Sequence, residues 1–138
     1  MSQTAKIILG VVIGVILIGA GGILWYRFSD AGKRGHEQAE DALPAIRIIL
    51  TNGCGFENLA REFSMWLKDK NVDIVAMGNT PKPIYDKTII VVRKGDMEDM
   101  KRLQRMTGIE RYTMALNETA LADFEIIIGK DYEQYTKR

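Results

Sequence analysis

The sequence is poor in the residues that build covalent or metal chemistry. It holds a single cysteine, Cys54, and a single histidine, His36. One cysteine cannot close an internal disulfide, and one Cys with one His falls short of a zinc site's ligand set. A Cys–His nucleophile pair would have to join Cys54 to His36. His36 stands in a polar stretch that reads as a linker, where nothing holds it against Cys54. No metal site and no cofactor is therefore expected. An excess of charge of one sign is missing too: 19 Lys and Arg stand against 18 Asp and Glu, interleaved along the chain. A nucleic-acid binder would carry a basic stripe, so nucleic acid is not expected as a partner. The charges read as solvated faces.

What the chain does have is one long run without charge. Residues 7–26, IILGVVIGVILIGAGGILWY, contain no ionisable group except Tyr26. About 20 apolar residues at a rise of 1.5 Å span a hydrocarbon layer of roughly 30 Å. Lys6 and Arg27 bracket the run, and Trp25 with Tyr26 sit at its end, where amphipathic rings favour the interface. A cleaved signal peptide would have a shorter apolar core closed by a small-residue site. Here Ile18-Gly19-Ala20 is a poor match to such a site, and ILWY continues the run beyond it. An uncleaved single-pass anchor is the reading, with the lipid bilayer as a partner. Gly10 and Gly14 form a GxxxG spacing at which two helices could approach closely, although glycine is also simply frequent in membrane helices. The flanking charges, Lys6 before the anchor and Arg27, Lys33 and Arg34 after it, lean slightly towards a cytoplasmic C-terminal domain.

The division expected is a short flank at 1–6, the anchor at 7–26, a linker at 27–45, a globular domain at 46–135 and a tail at 136–138. The linker ends near Pro44 and reads as carrying a fraying helical extension of the anchor over residues 36–43. In the domain, Ile46–Thr51 alternates as a strand, with Ile46, Ile48 and Leu50 on one face. Leu59, Phe63, Trp66 and Leu67 make a helical stripe between residues 57 and 70. Residues 72–77 and 88–93 read as strands. Asp96 can cap a second helix over residues 97–106, which Gly108 ends. Residues 111–116 read as a weak strand or an extended segment, and 125–128 as the last strand.

This order predicts an α+β fold: a small open β-α-β-β-α-β sandwich with two helices on one face of a mixed sheet, preceded by one transmembrane helix. The uncovered face would carry Arg47, Ile49, Ile89, Val91 and Ile127, more apolar than a solvent face usually is; an association surface, coverage by the linker or C-terminal tail, and a different strand register all stay open.

The turn Asn52-Gly53-Cys54-Gly55 lies between a strand and a helix, where free backbone N–H groups can hold an anion. A nucleotide-binding P-loop would need longer glycine spacing and a Lys-Ser/Thr pair, and Glu57 places negative charge where phosphate would sit. A structural corner and a carboxylate- or anion-holding turn over Asn52–Asn58 both stay open. Cys54 reads as a small packed residue. The remaining carboxylates are scattered over caps and loops, so no catalytic residue is assigned.

Three motifs, taken in order, resemble the LytR-type C-terminal domain (LytR_C). They are a strand ending Asn52-Gly53 with Gly55 before Asn58-Leu59-Ala60, then Asp86-Lys87-Thr88-Ile89-Ile90, then Glu125–Ile128 closing on Gly129-Lys130-Asp131-Tyr132. The resemblance covers nearly all of residues 46–135. The family usually has glycine at the positions of Asn58 and Asn71, and asparagine tolerates the same backbone angles.

The resemblance implies a bacterial inner-membrane protein whose domain lies outside the cytoplasm. It also implies an accessory role beside the catalytic LytR–CpsA–Psr domain, which attaches polymers to peptidoglycan and which this chain does not carry. Non-enzymatic binding or assembly is the expected function, with an envelope protein or cell-wall polymer as partner and homo-oligomerisation as an option. The alternative is an enzyme or enzyme subunit acting on wall polymers. Asn52, Gly53, Gly55, Asn58, Thr88, Gly129, Lys130 and Asp131 match the motifs and either shape turns or line a site.

Overall fold

The computed structural model describes residues 3–137, without the side chains of residues 27–38. The outer ends of the expected flank and tail, and the side chains of Arg27, Lys33, Arg34 and His36, lie outside the described residues; so does any pairing of His36 with Cys54.

The chain divides into two units, up to Ala42 and from Leu43 onward. The first is one helix, α1 (Gln3–Asp41), of 39 residues. Its stretch Gln3–Tyr26 has a mean hydropathy of 2.8, and no residue of it is buried in the protein. Ile8, Leu17, Ile18 and Trp25 all point outward, exposed. A helix apolar all round is stable only where its surroundings are apolar, which is the situation of a membrane span. Beyond the span the helix continues through most of the segment expected as linker and stops at Asp41.

The second unit is a five-stranded mixed sheet with helices on one face. Its elements are β1 (Ile46–Asn52), α2 (Leu59–Leu67), β2 (Val72–Asn79), β3 (Ile89–Val92), α3 (Met97–Thr107), β4 (Tyr112–Met114), β5 (Phe124–Ile128) and a short α4 (Glu133–Thr136). The strand order is β2-β1-β5-β3-β4. β1 runs parallel to β2 and β5, β3 is parallel to β4, and β3 meets β5 antiparallel. The domain is thus two β-α-β units joined through β5. Parallel neighbours need a crossover, and a helix lying over the sheet supplies it in each unit.

One face of the sheet carries the core. Ile46, Ile48 and Leu50 of β1, Ile90 and Val92 of β3, and Phe124, Ile126 and Ile128 of β5 are buried against the helices. α2 contributes Leu59, Phe63 and Leu67, and α3 contributes Met100 and Leu103. The α2 stripe is the expected one, except that Trp66 is half-buried; its ring meets Phe63 edge-on at 4.8 Å and lies under Lys70 Nζ. In α3 Met97, at the first turn, is exposed. Arg102 is buried in that helix, bonded to Asp99 and to the Pro44 carbonyl.

Both caps of α3 form as the sequence suggests. Asp96 accepts from Asp99 N–H at 2.8 Å, and Gly108 takes φ 72°. Asn58 stands at φ 59°, the glycine-like angle that its place in the family motif requires. Asn71 does not: Asn58 is the single non-glycine residue at positive φ among the described residues. Its side-chain amide instead donates to the Leu43 carbonyl at 2.9 Å, tying the start of the domain to the α2–β2 turn.

Candidate functional site

The sheet order decides where the motifs meet. β1 and β5 are adjacent and parallel, so their carboxyl ends emerge side by side, and antiparallel β3 begins at the same end. The three motifs sit at those three points. Gly53 N–H donates to the Ile128 carbonyl at 2.9 Å, Tyr85 N–H to the Gly53 carbonyl at 3.0 Å, and Lys130 N–H to the Tyr85 carbonyl at 3.2 Å. Asn52, Gly53, Gly55, Asn58, Thr88, Gly129, Lys130 and Asp131 therefore gather at one end of the sheet although 79 positions separate the first from the last.

In the first turn the Asn52 side chain is the organiser. Its Oδ1 accepts from Cys54 N–H at 3.2 Å and from Gly55 N–H at 3.1 Å, while its Nδ2 donates to the Phe56 carbonyl at 2.6 Å. Asn52 is buried and buried polar groups must be paired, so all of this bonding is internal. The two N–H groups that an incoming anion would use are already taken. Gly53 is required by space: a Cβ there would lie 2.6 Å from Ile127 Cγ2. Gly55 is required by conformation, with φ 82°. Cys54 is buried, its thiol turned towards Asn52 Oδ1 at 3.7 Å.

The second and third motifs together form a clasp. Asp131 Oδ1 accepts from Thr88 N–H at 2.7 Å and from Thr88 Oγ1–H at 2.8 Å, and Thr88 Oγ1 accepts from Gly129 N–H at 3.0 Å. Thr88 is wholly buried. A Cβ on Gly129 would come within 2.7 Å of Thr88 N, so only glycine permits this approach. Lys87 Nζ stands 4.0 Å from the second oxygen of Asp131. On the surface Lys130 Nζ pairs with Asp86 at 2.7 Å. That hydrogen bond and charge hold the Asp86 carboxyl below its ordinary range and the Lys130 ammonium above its own.

The face away from the helices carries Arg47, Ile49, Ile89, Val91 and Ile127, as alternation predicts. Arg47 is exposed, Ile49 and Ile89 are half-buried, and Val91 and Ile127 are buried. Between them runs a polar network that the sequence reading missed. Glu125 Oε1 accepts from Thr51 Oγ1–H at 2.5 Å, and its Oε2 accepts from Arg93 Nε and Nη2 at 3.1 and 2.6 Å. The Glu125 side chain is 13% exposed. Period-two alternation could have placed Glu125 beside Ile127, but only the register Val91↔Glu125 and Ile49↔Glu125 brings Arg93 and Thr51 to it.

A cavity of about 410 Å³ opens beside the first turn. Its walls are that turn, the carboxyl end of β2 and the loop at Thr80–Pro83. Among the described residues no cluster of three or more His, Cys, Asp or Glu could hold a metal.

The LytR_C family profile, described as LytR cell envelope-related transcriptional attenuator, matches residues 45–132. The chain belongs to the LytR_C family. The match spans the whole sheet, both core helices and all three motifs, so the LytR_C domain is the second unit itself. It is an accessory domain of cell-envelope proteins, here in one chain with a helix able to cross a membrane. No curated protein and no solved structure gives a significant match to the chain.

Proposed function

We infer that this LytR_C protein is a single-pass protein of the bacterial cytoplasmic membrane. Its domain, held outside the cytoplasm, acts without catalysis, as a binding or assembly module for an envelope protein or wall component. The observation that carries this reading is how the motif residues are spent. Asn52 and Thr88, the buried polar motif residues, and the half-buried Asp131 direct their bonds at the fold's own backbone and side chains. A catalytic group must instead aim at a substrate. The alternative, a wall-polymer enzyme with an anion-holding turn at Asn52–Asn58, loses support because Asn52 Oδ1 occupies the turn's donors and Glu57 lies beside it.

An extracytoplasmic domain is favoured by the family's place in the envelope over the small charge excess after the anchor. Tethering raises local concentration, so weak contacts suffice for a binding module. The helix-free face around Ile49 and Ile89 is the surface assigned to the envelope partner, since half-buried aliphatic residues there still have area to cover.

Crosslinking in intact membranes tests the reading. With a photo-crosslinker at Ile89 a discrete adduct is expected; recovery of uncrosslinked monomer alone would refute the assembly role. Protease accessibility of the domain in spheroplasts checks the side.

A further inference from the structure

We propose that the cavity beside the first turn is a binding site for an uncharged sugar unit of a glycan chain. The proposal deepens, and rests on, the reading of the domain as an envelope-binding module. The cavity's volume of about 410 Å³ falls within the range of small-molecule sites, roughly 300–1,000 Å³. It sits at the carboxyl ends of the parallel strands β1 and β2, between Asn52 and Asn79, which are cross-strand partners.

The chemistry of the lining selects the ligand. Asn58 makes no capping bond, and none of the side chains of Glu57, Asn58 and Asn79 is used in a hydrogen bond to another described residue. Each carboxamide offers two donors and two acceptor lone pairs, and the carboxylate offers acceptors alone. Vicinal hydroxyls donate and accept at neighbouring positions, which is the complement of that set. Phe56, 49% exposed on the same wall, provides an apolar ring surface for the C–H side of a pyranose. An edge-on contact with Tyr132 at 6.0 Å holds that ring in place.

Other ligand classes fit less well. No Lys or Arg lines the cavity, the carboxylate of Glu57 does, and the N–H groups of Cys54 and Gly55 are bonded to Asn52. An anion would meet repulsion without a counter-charge. An apolar ligand would strip water from two amides and a carboxylate and return no hydrogen bond.

The test uses the full chain, isotope-labelled, in micelles of lauryldimethylamine oxide; an alkyl maltoside would itself compete. Titration with chitotetraose or with maltotetraose is followed by NMR at the side-chain amides of Asn58 and Asn79. Saturable shifts with either sugar support the site; both binding alike assigns recognition to hydroxyls, chitotetraose alone to the acetamido group. Phe56→Ala is expected to weaken binding about tenfold, or ~1.4 kcal/mol. Should that variant unfold because it loses Tyr132, Asn79→Ala, exposed at a strand end, carries the same expectation. No saturable shift with either sugar, shifts unchanged in Asn79→Ala, or inorganic phosphate competing at these amides would overturn the proposal. Absent sugar binding with membrane crosslinks intact sinks the sugar site alone. Sugar binding without crosslinks sinks the protein-partner reading alone.

Discussion

Gly129 and Asp131 explain why a short motif can follow a strand so closely. Gly129 has to be glycine because the backbone at Lys87–Thr88 passes where a Cβ would stand. Gly129→Ala should therefore destabilise the domain by about 3 kcal/mol, the upper end of overpacking costs, read as a shifted midpoint in urea with an unchanged slope. Asp131→Ala removes the acceptor of the buried Thr88 N–H and hydroxyl, and leaving them unsatisfied costs about 2 kcal/mol. Asn58 behaves differently. At φ 59° glycine is the natural occupant, so Asn58→Gly should be neutral, while Asn58→Ala should lose about 1 kcal/mol. The first and last of these needs were legible in the sequence as glycine-type motif positions. That Asp131 reaches Thr88 was not, because the two lie 43 positions apart and only the β3–β5 pairing brings them together.

At the scale of elements, local chemistry was readable wherever it is carried within a few residues. The α3 cap is one case: Asp96→Ala should cost about 1 kcal/mol in thermal or denaturant unfolding. β4 was weak in sequence because it is short, exposed along its length and at the sheet edge, so no alternation marks it. Arg102 shows how a stripe misleads. Its stem is buried while its head finds Asp99 and the Pro44 carbonyl, a partner no helical periodicity can reveal. Glu125 is the same lesson in a strand. Glu125→Ala would strand the half-buried Arg93 and the Thr51 hydroxyl, with an expected loss of about 2 kcal/mol. Thr51→Val alongside it should recover part of that loss, which a double-mutant cycle measures.

For the whole molecule, the two units answer to different solvents. The span Gln3–Tyr26 exposes its aliphatic side chains, and Gly10 and Gly14 have nothing within 4 Å of where a Cβ would stand. If two copies pack there, Gly10→Leu with Gly14→Leu should abolish dimers trapped by crosslinking in membranes while leaving insertion intact. The domain's surface carries a pH dependence of known sign. Because Lys130 holds the Asp86 carboxyl below its ordinary 3.8, their pairing contributes above that value and fades as pH falls through the lowered one. Asp86→Asn should thus melt below the wild type near neutral pH and converge with it in strong acid, by a small margin because both groups are exposed.

The sequence by itself determined the apolar span, the strand and helix order, the caps of α3 and the family motifs. All of these depend on neighbours in the chain, on composition or on backbone angle. Tertiary structure alone decided that β5 inserts between β1 and β3, and that insertion gathers three distant motifs at one end of the sheet. It also decided that Glu125 finds Arg93. Each of these is a pairing across the sheet, and hydrogen bonds between strands are chosen by the packing of the whole core rather than by any local run of residues.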